Sequence, residues 1–382
     1  MEKRKRVLFI ASTVLFLIIL PIVAQLPKAT ASTDDTVFSV MQISDTQFLS
    51  KAFPQLYTDT TTWIVNNAPS YNLKMVIHTG DIVDNIGDSN HPDQATADPT
   101  QWSNANNAMA LLLNVNIPYC WDAGNHDQIP WNSPTGTWTG SSYAAFDVTS
   151  MRSKPYWVSD NNDGKNTAVK FTCNGYSFLI INVEYMASDS TLTWMKNLLN
   201  NNLDKNVIIA AHTYLNKSGG YGFSSTGLPG EVAWCTNFKT ILDSYPNIFL
   251  TLNGHDPTGS AYSQKLLSPV NREEIFFDRQ VITTTASQTN GGPYGQTGAA
   301  AVRIYTFDLS TKTVSTKTYC LDTQSWLTSG SNQFTFSANL KMPSELVVTP
   351  EYPMAILGPM TITFAIVCYY MLPKLKSKPL KS

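Results

Sequence analysis

Basic charge is scarce where a polyanion-binding protein would need it. Charged residues make up 14% of the 382-residue chain, and no block of lysine or arginine occurs between Ser32 and Tyr352. With the nine basic and one acidic residues of the two ends set aside, 17 Lys and Arg face 27 Asp and Glu, a balance near −10. That excludes a long nucleic acid held by cationic side chains and suits a small substrate. Cysteine is also sparse, five in all. Cys120, Cys173, Cys235 and Cys320 lie in the central stretch, and Cys368 lies in an apolar segment near the C-terminus. Four cysteines allow three full pairings, and spacing does not choose among them. Cys120 sits in a strand-like run and reads equally well as a buried free thiol. Internal repeats are absent.

The long apolar runs stand at the ends. Glu-Lys-Arg-Lys-Arg at 2–6 precedes an apolar run from Val7 to Ala24, and Ala29-Thr30-Ala31 follows with small residues. This is the pattern of a secretory signal, cleaved before Ser32 or retained as an anchor. A second apolar segment, Met354 to Leu372, carries no charge and is followed by Lys374, Lys376, Lys378 and Lys381. It is expected to span a membrane with the lysines inside, placing the bulk of the chain outside the cytoplasm. The expected organisation is a signal peptide at 1–31, one domain at 32–324, a stalk at 325–352, a span at 353–373 and a basic tail at 374–382.

The central stretch alternates short apolar runs with amphipathic ones. Val37–Ile43, Lys74–Thr79, Ile117–Ala123, Ala168–Thr172, Ser177–Val183, Asn206–Ala211 and Asn247–Leu252 read as strands, several apolar on both faces. Leu56–Asn67, Gln101–Asn114, Thr191–Leu203 and Val232–Ser244 read as helices. The alternation predicts an α/β fold. After Arg279 the texture becomes that of a β-meander, with strands expected at Val281–Thr284, Ala300–Phe307 and Thr313–Tyr319.

Five predicted strands end in residues that bind cations. Asp45 follows the first, Asp81 and Asp84 the second, Asn125-His126-Asp127 the third, and His212 and His255 the last two. The carboxyl rim of an α/β sheet is where ligands collect. Carboxylate, amide oxygen and imidazole together suit a transition-metal ion. A phosphate ester needs its negative oxygens neutralised and its attacking water deprotonated, and two ions close together do both.

The order Asp45-Thr46-Gln47, Gly80-Asp81-x-x-Asp84, Gly124-Asn125-His126-Asp127, His212, Gly254-His255 resembles the calcineurin-like metallophosphoesterase family across roughly Phe38 to Pro257. The resemblance implies a four-layer α-β-β-α sandwich with two mixed sheets. It implies one or two ions (Mn, Fe, Zn or Ni), held by Asp45, Gln47, Asp81, Asn125, His212 and His255, with Asp81 as the bridge. His126 would assist the leaving group, oriented by Asp127. Gln47 stands where the family has histidine, and Pro257 stands where the last motif has its second histidine. The first ion therefore lacks a ligand, and Asp256 is adjacent but off by one. The expected function is extracytoplasmic, metal-dependent hydrolysis of a small phosphomonoester or phosphodiester, with the membrane as a partner through the C-terminal segment and no nucleic acid. The alternative is a non-hydrolytic metal- or ligand-binding surface protein on the same fold.

Other residues carry plainer readings. His78, inside the second strand, is expected to be structural or to support a ligand, and His91 to lie in a loop. Asp84 reads as a turn residue or a supporting carboxylate. Tyr119, Trp121, Trp131, Trp138 and Tyr143 read as packing. Asn216-Lys217-Ser218 fits a glycosylation sequon.

Overall fold

The computed structural model describes residues 36–85, 98–130, 133–223, 230–256, 260–267, 270–280 and 300–342. In chain order the strands are β1 (Val37–Ile43), β2 (Leu73–His78), β3 (Tyr119–Trp121), the hairpin β4 (Gln128–Ile129) and β5 (Thr137–Trp138), β6 (Trp157–Asn161), β7 (Asn166–Cys173) and β8 (Tyr176–Val183). There follow β9 (Asn206–Ala211), β10 (Ile248–Asn253), β11 (Ser260–Leu266), β12 (Arg272–Asp278), β13 (Ala301–Asp308), β14 (Thr313–Cys320), β15 (Ser325–Leu327) and β16 (Phe334–Ser337). The helices are α1 (Gln47–Ala52), α2 (Pro54–Asn67), α3 (Pro99–Asn114), α4 (Val148–Met151), α5 (Asp189–Asn200) and α6 (Glu231–Leu242).

The large strands form two seven-stranded mixed sheets, β15-β14-β13-β1-β2-β3 with β16 also on β14, and β11-β12-β10-β9-β8-β7-β6. They pack face to face through phenylalanines. Phe38 and Phe307 of the first sheet meet Phe171, Phe178 and Phe249 of the second, with Phe38 5.4 Å from Phe178 and 5.5 Å from Phe171, edge to face. Period-two alternation serves both faces. Ile208 and Ala210 of β9 join the core between the sheets, while Val207, Ile209 and Ala211 join a second core with Met195 and Leu199 of α5 and Phe238 and Leu242 of α6. Tyr57 and Ile64 of α2, and Trp102, Met109 and Leu112 of α3, belong to the core of the first sheet. The result is the expected α-β-β-α sandwich.

Helix starts follow local chemistry. Pro54 opens α2 and Pro99 opens α3, where a missing N–H costs nothing. Asp98 caps α3 by accepting from the amides of Thr100 at 2.8 Å and Gln101 at 3.3 Å.

Two differences from the sequence reading concern the sheets. The first sheet continues into the expected stalk. β15 and β16 pair with β14, Phe336, Ala338 and Leu340 are buried, and the Lys341 amide donates to Asn206 Oδ1 at 2.7 Å. Alternating apolar residues, too few to announce a strand alone, are enough once β14 offers an edge. The second sheet gains β6, β11 and β12, which charge and polar residues conceal in the sequence. The two terminal apolar runs, the strand expected at Val281–Thr284, His91, Trp131 and Pro257 lie outside the described residues. Among the described residues no helix is long and apolar enough to cross a membrane.

Cys120, Cys235 and Cys320 are buried free thiols, and Cys173 is buried. Tyr119, Trp121 and Trp138 are buried packing residues. Asn216 turns its side-chain amide inward, donating to Gly222 O at 2.8 Å. Replacing Phe38 by alanine removes the ring at the seam between the sheets and is expected to cost about 3–5 kcal/mol, read as a lowered urea midpoint with an unchanged slope.

Candidate metal centre

Register places the donors at one rim. β1, β2 and β3 run parallel with Ile43 opposite His78 and His78 opposite Trp121. In the other sheet β8, β9, β10 and β12 run parallel, with Val183 opposite Ala211, Ala211 opposite Asn253 and Asn253 opposite Phe276. Within four residues of those levels come Asp45, Asp81, Asn125, His212, His255 and Asp278. The turns that carry them leave the ordinary backbone regions. Asp45, Asp81 and His255 have φ of 54°, 52° and 81°, a strain of order 1–3 kcal/mol each that surrounding contacts must hold. Two glycines are required by close approach: a Cβ at Gly124 would collide with Asp81 Oδ1, and one at Gly254 with Asp45 Oδ2.

One half of the site is a meeting of acceptors. His212 Nδ1 lies 2.9 Å from the carbonyl of Thr79, which only accepts, so Nδ1 bears the proton and Nε2 presents its lone pair. Burial pushes the His212 pKa down to about 4, so the ring is neutral near pH 7. His255 Nε2 lies 3.3 Å from Glu231 Oε2, which leaves Nδ1 as the acceptor. These two ring nitrogens stand 3.0 Å apart. Asn125 Oδ1 is 2.9 Å from the first and 3.0 Å from the second, and Asp81 Oδ1 is 3.3 Å from His212 Nε2. The donor atoms of Asp81, His212 and His255 all lie within 4.8 Å of one another. Two nitrogens and two oxygens that share no proton form a set that fits a divalent cation. Burial raises the Asp81 carboxyl, but His212, His126 and His255 around it outweigh that and hold it below the usual carboxylate range.

The other half is built of oxygens. Asp45 accepts the His255 amide at 3.0 Å and a bond from Ser44 Oγ. Burial first, then Asp278 and Asp81, push its carboxyl well up. Gln47 Nε2 donates to Asp81 Oδ2 at 3.0 Å and to Gln280 Oε1 at 2.7 Å. Gln280 in turn gives both its N–H and its Nε2 to Asp278, at 2.9 and 2.8 Å. Asp256, the residue after His255, accepts the Lys217 amide at its Oδ2, 3.2 Å away.

His126 sits at the edge of the site. Its Nδ1 is 2.8 Å from Asp84 Oδ1, its Nε2 is 3.8 Å from Asp81 Oδ2, and its amide donates to Asp81 Oδ1 at 3.0 Å. Lys51 Nζ holds the other Asp84 oxygen at 2.5 Å. Burial lowers the His126 pKa, but Asp81 and Asp84 more than reverse this and raise it to about 9. The partner expected to orient His126 was Asp127. Instead, both Asp127 oxygens accept main-chain bonds, from Val83 N at 2.9 Å and Gly124 N at 2.8 Å, and tie two donor loops together. Asp84 holds the imidazole. His78 is fully buried at 2.9 Å from Thr46 Oγ1 and 3.2 Å from Tyr57 OH, and burial pushes its pKa down to about 3, which suits a structural role.

Sequence reasoning missed Glu231, Asp278 and Gln280. Glu231 opens a helix, where an acid needs no special reason. In the structure it also accepts from Thr213 Oγ1 at 2.7 Å, the Phe223 amide at 2.9 Å and Tyr185 OH at 3.0 Å. Burial raises its carboxyl, yet these bonds and His255 hold it down at about 2. Asp278 had a signal: it ends the apolar Ile275-Phe276-Phe277 run as Asp45 and Asp81 end theirs.

The family profile described as calcineurin-like phosphoesterase matches residues 38–258, more than half of the chain. The chain belongs to that family. Among curated proteins, the uncharacterized protein YvnB of Bacillus subtilis (strain 168) is 29% identical over 296 residues, covering 74% of this chain. The match spans only 20% of YvnB's own length. Among solved structures, GAP50, the anchor in the inner membrane complex of Plasmodium, aligns over 80% of this chain and 89% of its own at 11% identity and a TM-score of 0.41. A cold-active protein-tyrosine phosphatase of a psychrophilic Shewanella aligns over 76% and 80% at 15% identity and a TM-score of 0.32.

Two outcomes are expected. The Glu231→Gln variant loses the carboxylate that sets the His255 tautomer, and Zn2+ affinity measured by calorimetry should fall about 10–100-fold. In metal-free protein the raised His126 pKa stabilises the fold fully below its ordinary value of 6.5, and that contribution is lost as the pH rises through about 9. The stability gap between wild type and Asp84→Asn, read by denaturant titration, should therefore be wider at pH 6 than at pH 10.

Proposed function

We propose that this chain hydrolyses a small phosphate ester outside the cytoplasm, tethered to a membrane through its C-terminal segment. The observation that carries the reading is the buried meeting of His212 Nε2, His255 Nδ1, Asn125 Oδ1 and Asp81 Oδ1, beside a cationic His126. Asp81, Asn125, His212 and His255 would hold one cation, and Asp45, Gln47 and Asp81 would border another. Bound cations would neutralise the phosphate oxygens and activate the attacking water.

The chain's own residues supply the rest. His126 is protonated near neutral pH, with Nδ1–H directed to Asp84 and Nε2–H toward the Asp81 side of the site. It donates the Nε2 proton to the departing ester oxygen. Lys51 holds the other Asp84 oxygen in place, so the ring does not rotate out of reach. The net acidity of the central stretch disfavours long polyanions and leaves a small phosphomonoester or phosphodiester as substrate. The extracytoplasmic location rests on the basic-then-apolar start, the uncharged segment from Met354 to Leu372 and the lysines after it.

Full-chain protein loaded with Mn2+, Fe2+, Zn2+ or Ni2+ should hydrolyse an aryl phosphate or a bis-aryl phosphodiester. Folded, metal-loaded protein that turns over neither would reject the reading in favour of a non-hydrolytic metal-binding role. The His126→Ala variant should keep its metal and lose about 10²–10⁴ in kcat, and the loss should shrink for aryl leaving groups that depart without a proton.

A further inference from the structure

The last family motif lacks its second histidine, and the structure shows what stands near the place it would serve. Gln47 is 1% exposed, yet its Oε1 has no hydrogen-bond partner. Its Nε2 is engaged twice, on Asp81 Oδ2 and on Gln280 Oε1. A buried amide oxygen left bare is destabilising unless something electropositive meets it. Gln280, 4% exposed, turns its own Oε1 to the Gln47 side chain because Asp278 takes its Nε2. Asp278 reaches this place because β12 runs parallel to β10, one strand beyond the one that delivers His255. Asp45, at the end of β1 beside the strand that delivers Asp81, accepts the His255 amide at 3.0 Å. The outer ring nitrogen of each ligand histidine is committed elsewhere. His212 spends Nδ1 on Thr79 and His255 spends Nε2 on Glu231.

We propose that Gln280, oriented by Asp278, replaces the missing histidine as a ligand of the first cation, so that this cation has oxygen donors only, from Asp45, Gln47, Asp81 and Gln280. The inference rests on the reading of the site as a two-cation centre. Oxygen-only donors favour hard ions such as Mn2+ or Mg2+, whereas the pair of imidazoles favours Zn2+. The two positions are then chemically unequal, and the centre binds a mixed pair. Asp278 is a positioning residue: it acts through Gln280 by fixing which end of the amide faces the cation.

The test reads binding, not turnover. Metal-free full-chain protein is given one equivalent of Zn2+, then titrated with Mn2+ by calorimetry and pulsed electron paramagnetic resonance. Wild type should take one Mn2+ per chain with no imidazole nitrogen coupling. Gln280→Ala and Asp278→Ala should each weaken Mn2+ about 10–100-fold and keep their Zn2+, which also shows that they fold. Gln280→Glu should restore Mn2+ binding to wild-type strength or better. Mn2+ affinity in Gln280→Ala within twofold of wild type, or imidazole coupling to Mn2+ in wild type, would overturn the proposal. Wild type that binds both ions as stated but hydrolyses nothing would sink the proposed function and leave this assignment standing.

Discussion

Four hydrogen-bond acceptors crowded together, three of them within about 3 Å of one another and the fourth 3.3 Å from His212 Nε2, repel, and a protein builds such a place for a cation. Here the arrangement is enforced from behind. The Thr79 carbonyl holds the proton of His212 on the far nitrogen, and Glu231 does the same for His255. Without those two outer bonds either ring could turn a proton inward and satisfy Asn125 as an ordinary hydrogen bond. The chemistry of the centre therefore begins one layer outside it, in a strand-end carbonyl and in the first residue of a helix.

The loops that carry the donors are fixed by bonds among themselves. Asp127 joins the Val83 and Gly124 amides, Asp81 accepts the His126 amide, and Asp45 accepts the His255 amide. Asp45 and Asp81 each do two jobs, bracing a neighbouring turn and lining the site. That explains how residues with positive φ persist at Asp45, Asp81 and His255. The strain is spread over a network in which no turn is free to relax alone.

Much of this could be read before any coordinates. β1 and β9 span the expected residues, and β2, β8 and β10 begin or end one residue from expectation, because continuous apolar runs bounded by polar turns leave little choice. The donor set was legible for the same reason: Asp45, Asp81, Asn125, His212 and His255 each follow such a run. What stayed hidden depended on partners far away in sequence. β12 opens Arg272-Glu273-Glu274, which reads as solvated loop. In the structure Arg272 meets Glu274 at 2.9 Å and Asp243 at 2.7 Å, and Tyr214 donates to Glu274 at 2.6 Å, so the charges go inside together. Asp84 and Asp127 are three and two residues from metal-ligand candidates and equally plausible supports for His126. Only the placement of the Val83 and Gly124 amides assigns them different work.

The cation centre straddles a seam. Asp45, Gln47, Asp81 and Asn125 descend from one sheet, while His212, His255, Asp278 and Gln280 descend from the other, and among the described residues no strand ladder joins the two. Bonds at the rim, such as His212 to Thr79 and His255 to Asp45, cross between the halves, and the stack of phenylalanine rings at Phe38, Phe178 and Phe307 holds their spacing deep in the sandwich. A slip of one sheet across the other by a fraction of an ångström would stretch every bond to a shared ion at once. Aromatic packing far from any ligand thus acts as the gauge block of the centre, and ion selectivity is open to tuning from inside the hydrophobic core.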